Sequence, residues 1–140
     1  MAAQNPWNDV MHVAAICRYL GLAQSFIGDM SFAEFESDAQ IQAQFATAMA
    51  IAQVGEHVKG LSKAFRESRP DVDWKAIAGT RDWLVHKYDD VDLRILYLSV
   101  TQQAQPLLDS LTSYLDAHEE AFEVGTSGLE DLAQPPDAAS

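Results

Sequence analysis

The chain has 140 residues, and its nine Lys and Arg against 21 Asp and Glu give a formal net charge of −12 and a pI of about 4.4. Proteins that coat nucleic acid or bind anionic membrane surfaces are usually basic, so this balance excludes both as general activities and leaves room only for a small anion site. Because 48% of the residues are hydrophobic, we expect one folded domain rather than a disordered acidic chain.

The composition also argues against disulfide and metal chemistry. Cys17 is the only cysteine, which excludes an internal disulfide and a cysteine-based zinc site, and its apolar neighbours predict a buried side chain. The four histidines show no Glu-x-x-His or His-x-x-x-His spacing, so no metal site is predicted. The chain lacks a basic, apolar leader and any apolar run near the roughly 20 residues of a membrane span, which predicts a cytoplasmic protein without membrane contact.

The first predicted helix begins at Asn5 and Pro6, which have the pattern of an N-cap followed by the first helical residue. Apolar residues then recur at helical spacing and fade by Gly28. Ser31 and Glu34 have the spacing of a capping box, and Ser37 or Asp38 offers another cap, so the start of the second helix has two candidate caps.

A long second helix is predicted from about Asp38 to Glu67, and the Ser-Arg-Pro run at 68–70 ends it because proline cannot continue a helix. Apolar residues at helical spacing predict the stripe that faces the core. The stripe consists of Ile41, Phe45, Ala48, Ala52, Val58, Leu61 and Phe65.

Two further helices follow. Asp71 or Asp73 is expected to cap the third helix, and Asp89 and Asp90 are expected to break it and cap the fourth, which Pro106 should kink. One face of the third helix is predicted to carry Trp74, Ile77, Arg81, Leu84, Val85 and Tyr88. With no period-2 alternation and short connections, the chain is predicted to be an all-α, antiparallel four- to five-helix bundle over 1–122, followed by an acidic, solvated tail over 123–140.

The charge is distributed unevenly. Residues 1–55 carry a net charge of −4, residues 56–94 carry eight basic and eight acidic groups, and residues 95–140 carry −8 with no Lys or Arg. Any anion is therefore expected to bind in the central stretch.

The segment 80–88 (Thr-Arg-Asp-Trp-Leu-Val-His-Lys-Tyr) contains the residues that could carry chemistry. A histidine can transfer protons near neutral pH, and an arginine can hold a phosphate, so Arg81 and His86 suit metal-free RNA cleavage with the 2′-OH as internal nucleophile. On a straight helix Arg81 shares a face with Tyr88 but lies about 140° from His86, so a site needs a distorted helix end or a second copy of the chain. The alternative is a surface His86, an Arg81 paired with Glu56 or an Asp, and a Tyr88 that is a core residue with its hydroxyl at the rim.

These residues resemble the HEPN-type ribonuclease toxins and, more narrowly, the HepT subfamily, whose signature Arg-x4-His-x-Tyr matches Arg81, His86 and Tyr88. The preceding Trp-x2-Ile-x-Gly pattern over 74–79 and the Gly-Glu element at Gly55 and Glu56 also fit, and the likeness covers roughly 7–115. One departure is Asp82, where the family often has Asn: an acid there can orient Arg81 or His86, but it also repels phosphate.

The resemblance implies a homodimer in which the Arg and His of both subunits form a composite, metal-independent endoribonuclease site, with tRNA or mRNA as substrate. It implies the toxin of a type VII toxin–antitoxin pair, whose MNT-type nucleotidyltransferase antitoxin transfers AMP from ATP to Tyr88. ATP and Mg²⁺ would then belong to the antitoxin, and this chain would need no cofactor. Arg81 and His86 would be catalytic, and Asp82 and Glu56 would support them.

Two other functions stay open at this point. The chain could be a non-catalytic helical subunit that binds the nucleotidyltransferase and serves as its substrate, which the acidic charge and Asp82 favour. It could also be a dimeric bundle with a structural role, in which case replacing Arg81 or His86 would change only stability.

Overall fold

The computed structural model describes residues 8–86 and 91–118, with the backbone alone for Val85 and His86. Every regular element in these two ranges is helical, which confirms the all-α prediction. The α-helices are α1 (Asp9–Ile27), α2 (Phe32–Phe35), α3 (Ile41–Gly60), α4 (Lys63–Glu67), α5 (Trp74–His86), α6 (Leu93–Leu98) and α7 (Ala104–Asp116). A 3₁₀ turn at Asp38–Gln40 precedes α3, and a π-helical stretch at Ser99–Gln103 joins α6 to α7.

The start of α1 differs from the prediction. The Asn5–Pro6 pair lies outside the described residues, and the helix begins at Asp9, where the Asn8 side chain accepts a hydrogen bond from the Met11 amide at 3.0 Å. Both asparagines precede the same apolar pattern, so spacing alone could not choose between them. The end at Gly28 is as predicted: its φ of 54° suits glycine, and its amide donates to the Gln24 carbonyl.

Contrary to the sequence-based expectation, α1 is long and apolar enough to cross a membrane by length and composition, with a mean hydropathy of 1.3. Half of that window is buried inside the protein. A core helix passes the same test, and α1 packs along α3 and α7 in the centre of the bundle.

The predicted long second helix is broken. α3 ends at Gly60, Leu61 and Ser62 are extended, and α4 then begins with Ser62 as its N-cap. The break is held by Asp9, whose carboxylate accepts hydrogen bonds from the Ser62 amide at 2.7 Å and from its hydroxyl at 2.6 Å. A contact between residues so distant in sequence cannot be seen in the local pattern.

The prediction that Ile41 and Phe45 belong to the core stripe is wrong. Ile41 is 47% exposed and Phe45 is 55% exposed, and Met49 on the same face is 60% exposed. The other stripe residues on α3 and α4 are buried, as predicted. α1 and α5 cover the remaining faces of α3, so the face of Ile41, Phe45 and Met49 is directed to solvent.

The predicted joint near Pro106 takes the form of a π-helical stretch. Proline has no amide hydrogen and its ring clashes with the carbonyl four residues earlier, here Gln102, which lies in the π-helical turn. α6 begins after Asp92, whose side chain accepts from the amides of Arg94 and Ile95. The cap of the fourth predicted helix is therefore Asp92, not Asp89 or Asp90 as predicted. Asp89 and Asp90 themselves and the tail boundary at 122 lie outside the described residues.

The helices form an antiparallel arrangement around one core. His12 near the start of α1 contacts His57 near the end of α3, and Gln24 near the end of α1 bonds Gln105 at the start of α7. Phe65 of α4 packs on Trp74, which brings α5 back along α3. This return places the motif helix against the Gly-Glu element.

Candidate active site

A close approach of α3 and α5 positions the candidate site. At Gly55 an added Cβ would lie 2.9 Å from the Ile77 carbonyl oxygen, 3.0 Å from the Arg81 Cβ and 3.1 Å from the Arg81 amide nitrogen. Only glycine leaves this space, so Gly55 sets the distance between the two helices. Glu56 follows directly and is thereby brought beside Arg81.

Arg81 is held by two carboxylates. Its Nε lies 3.2 Å from Glu56 Oε2 on α3, and one terminal nitrogen lies 3.1 Å from Asp82 Oδ1 on its own helix. The Arg81 side chain is 38% exposed, so the guanidinium is oriented by these contacts while part of it faces solvent. The contact with Glu56 is the one that the sequence analysis expected; its functional role stays a prediction.

Lys59 is the member of the cluster that the sequence analysis missed. Its Nζ lies 3.2 Å and 3.3 Å from the two carboxylate oxygens of Asp82, so Asp82 bridges Lys59 and Arg81. The hydrogen bond from Arg81, then that from Lys59, lowers the pKa of Asp82. One signal was available: Lys59 lies three residues after Glu56, on the same side of a helix.

The two other predicted site residues are only partly placed. His86 is the last residue of α5, four residues after Asp82, and the structure describes its backbone alone. Tyr88 lies outside the described residues altogether. The structure therefore brings together Arg81, Asp82 and Glu56, and it neither confirms nor contradicts a convergence with His86 or Tyr88.

The cluster lies on an open surface. A cavity of about 550 Å³ exists between α5 and the α6–α7 segment, but its lining is mostly apolar and contains none of the four cluster residues. The cluster thus suits a ligand that is long and lies along the surface better than a small molecule enclosed in a pocket. Its two cations and two carboxylates balance, so an incoming phosphate must compete with Glu56 and Asp82 for Arg81.

The other titratable groups that the structure describes offer no rival site. Among the described residues, no group of three or more His, Cys, Asp or Glu could hold a metal ion. His12 and His57 face each other with their Nδ1 atoms 3.1 Å apart, and burial lowers the pKa of both. Cys17 is half-buried rather than fully buried as expected, and burial raises the pKa of its thiol to about 11, which makes it a poor nucleophile.

The fold and the cluster together define a class: an all-helical bundle with an arginine-centred surface site on the helix that ends in the motif histidine. Comparison with known proteins places the chain within that class. A family model described as Ribonuclease HepT-like matches residues 16–114. The chain belongs to the HepT-like ribonuclease family, which confirms the resemblance.

Individual relatives agree. A protein from Caldanaerobacter subterraneus subsp. tengcongensis, provisionally named an RNase, is 34% identical over 69% of this chain and 81% of its own length. A protein from Thermococcus cleftensis, provisionally named ribonuclease HepT, is 30% identical over 66% of this chain and 82% of its own length. No solved structure matches with comparable significance. The family and these names indicate a ribonuclease function.

Proposed function

We propose that the chain is a metal-independent endoribonuclease toxin whose active site is built around Arg81 and His86. The observation that carries the proposal is the placement of Arg81: Glu56 fixes its guanidinium at 3.2 Å, on a partly exposed surface of the helix that ends at His86. Membership of the HepT-like ribonuclease family supports the same activity.

In the proposed reaction, the RNA 2′-OH attacks the adjacent phosphorus and the bond to the 5′-oxygen of the next nucleotide breaks. Arg81 offsets the charge that develops on the phosphoryl oxygens, while His86 takes the proton from the 2′-OH or supplies one to the leaving oxygen. The internal nucleophile makes an activating metal ion unnecessary. tRNA or mRNA is the proposed substrate.

A homodimer is part of the proposal. The exposed face of α3 that carries Ile41, Phe45 and Met49 also carries Glu56, because residues 45, 49 and 56 fall within about 40° of one another around the helix. A second copy that covers this face would bring the two Arg81 clusters near each other and form a composite site from the Arg81 and His86 of both copies. The substitution Met49→Glu should therefore give monomers and reduce RNA cleavage, whereas Asp38→Lys on the exposed turn before α3 should do neither.

The proposal also includes inactivation of the toxin by AMP transfer to Tyr88. Its phenolic oxygen would attack the α-phosphorus of ATP held by an MNT-type nucleotidyltransferase, with release of pyrophosphate. The attached AMP adds bulk and a negative phosphate to the motif, which would exclude RNA sterically and by charge. ATP and Mg²⁺ would be bound by the antitoxin only.

Expression of the chain alone tests the function. Growth should stop with the unmodified protein and continue with His86→Ala, while His118→Ala at the exposed position after α7 should remain toxic. Purified unmodified protein should cleave RNA in the presence of a chelator, and co-expression with the nucleotidyltransferase should add AMP, seen by intact mass and lost in Tyr88→Phe. A harmless, well-expressed chain that cleaves no RNA contradicts the proposal.

The second candidate, a non-catalytic substrate of the nucleotidyltransferase, is favoured by one observation. Both described ion pairs of Arg81 are with carboxylates, which compete with a phosphate for the guanidinium. AMP addition to Tyr88 fits both candidates. Cleavage of RNA by the unmodified protein distinguishes them.

A further inference from the structure

The cations of this acidic chain are concentrated in one region. Residues 59–81 carry six Lys and Arg against three acids, a net charge of +3, while the rest of the chain carries −15. These residues form the end of α3, α4 and most of α5. The structure therefore places most of the positive charge in elements that adjoin the Arg81 cluster.

Part of this charge surrounds a shallow cleft between α4 and α5. The cleft has a volume of about 550 Å³ and is lined by Lys63, Arg66, Glu67, Pro70, Trp74 and Lys75. Its floor is well ordered by packing: the Trp74 ring contacts Phe65 at 6.0 Å between centroids, and the Trp74 indole donates to the Arg66 carbonyl at 3.1 Å. The cations are thus held on a rigid base rather than on a loop.

Two of the three cations in the cleft form no ion pair with an acid that the structure describes. Lys63 is 3.7 Å from the exposed Glu67, and neither Arg66 nor Lys75 forms an ion pair with a described acid. The Arg66 Nε is buried without a hydrogen-bond partner among the described residues. Like charges gathered in this way repel one another, and an anion bound among them relieves the repulsion.

The cleft is connected to the Arg81 cluster along one face of α5. Lys75 and Asp82 are seven residues apart, so they lie on the same face two turns from each other, about 10.5 Å along the axis. Lys59 reaches Asp82 from α3 and adds another cation at that end of the face. A strand held at Arg81 would need only a few nucleotides to reach Lys75.

We propose that the α4–α5 cleft is a phosphate-binding subsite for the RNA strand, separate from the residues that cleave it. The inference rests on the proposed ribonuclease function and extends it to how the substrate is held. Trp74 is buried, so it offers no exposed ring to stack on a base, and the contacts are charge contacts to the backbone. The subsite therefore contributes to affinity and to salt dependence without reading sequence or taking part in the chemistry.

Binding by the full-length, cleavage-deficient His86→Ala protein tests the subsite directly. The probe is a labelled single-stranded 20-mer RNA, titrated at several salt concentrations. Adding Lys63→Gln and Lys75→Gln should weaken binding by about tenfold near 0.1 M salt and reduce the slope of log affinity against log salt by about 1.4, the value for two phosphate contacts on a single strand. Thermal melts should show that the variant stays folded.

A charge-matched control separates local contacts from the general field. Arg18→Gln and Arg94→Gln, on α1 and α6, remove the same charge and should leave the slope nearly unchanged. We call the double variant Lys63→Gln and Lys75→Gln the cleft pair. An equal loss of RNA affinity in the cleft pair and the control pair, no loss in the cleft pair, or no salt-dependent binding by the parent protein would overturn the subsite.

Cleavage separates this inference from the proposed function. In the active protein the cleft pair should raise KM for a long RNA and leave kcat unchanged, and it should hardly affect a dinucleotide too short to reach Lys75. If the parent protein binds RNA through the cleft but cleaves none, the ribonuclease proposal fails and the subsite stands. If cleavage occurs and the cleft pair changes neither KM nor binding, the subsite fails alone.

Discussion

Gly55 and Arg81 touch across the interface between α3 and α5, with the Arg81 backbone where any side chain at position 55 would have to lie. We predict that Gly55→Ala pushes the helices apart and destabilises the protein by about 1–3 kcal/mol through overpacking, offset in part by the roughly 1 kcal/mol by which Ala is the better helix former. RNA cleavage should fall further than stability does, because Glu56 would lose its contact with Arg81. Denaturant unfolding and cleavage rates measure the two effects.

Gly21→Ala is the matched control, because an added Cβ on Gly21 of α1 meets nothing within 4 Å. It should stabilise the protein by up to about 1 kcal/mol and leave cleavage unchanged. If both substitutions behave alike, the close approach at Gly55 does not position the site.

The second prediction concerns Asp82, whose carboxylate accepts hydrogen bonds from both Lys59 and Arg81. Asp82→Asn removes a negative charge beside the guanidinium, so the cleavage-deficient protein should bind RNA roughly two- to fivefold more tightly at low salt, and less so at high salt. Lys59→Gln should weaken binding. Filter binding or fluorescence anisotropy at two salt concentrations measures both.

The double variant shows whether Lys59 acts through Asp82. If the role of Lys59 is only to neutralise that carboxylate, Lys59→Gln should have little effect once Asp82 is Asn. Equal effects of Lys59→Gln in both backgrounds would mean that Lys59 contacts the RNA itself. A loss of affinity in Asp82→Asn alone would contradict the view that Asp82 competes with phosphate.

Asp9 and Ser62 give a prediction about stability. The Asp9 carboxylate makes two short hydrogen bonds to Ser62 at the break between α3 and α4, so Asp9→Ala should destabilise the protein by about 1–3 kcal/mol. Asp29→Ala, at an exposed position after α1, should stay within about 0.5 kcal/mol of the parent. Chemical denaturation compares the two, and similar losses in both would show that the bridge contributes little.

The parts of the fold that sequence could predict are those determined by neighbours along the chain. The caps at Ser31 and Asp73 and the distortion before Pro106 depend on spacings of a few residues, and they are found where expected. Periodicity identified the apolar face of Ile41 and Phe45, but it carries no information about what covers a face, so this face was wrongly assigned to the core.

The site shows the same division. Arg81 and Asp82 are adjacent in sequence, and the motif identified them without a structure. Lys59 joins them only because Gly55 lets α3 and α5 approach, and this depends on packing between helices. A lysine three residues after Glu56 is common on helices, so its partner on another helix could not be predicted from spacing.

The contact between His12 and His57 predicts how stability depends on pH. Burial lowers the pKa of both side chains; at His57 the neighbouring His12 lowers it further, while Asp9 and Glu56 act in the opposite direction on His12 and His57 respectively. Between the folded pKa values and the unfolded value of about 6.5, the unfolded chain binds more protons than the folded one. The contribution of the pair is therefore complete above about pH 6.5 and is lost as the pH falls below it.

Thermal melts from pH 8 to pH 5 measure this loss as a falling Tm. His57→Gln removes one of the two ionisable groups of this contact, so its Tm should fall less steeply over the same range even if it is lower at pH 8. His118→Gln, at the exposed position after α7, should keep the slope of the parent protein. A parent Tm that is constant from pH 7 to pH 5 would contradict this prediction, and so would a slope that His57→Gln leaves unchanged. Either result would show that protonation of the two histidines does not contribute to the loss of stability in acid.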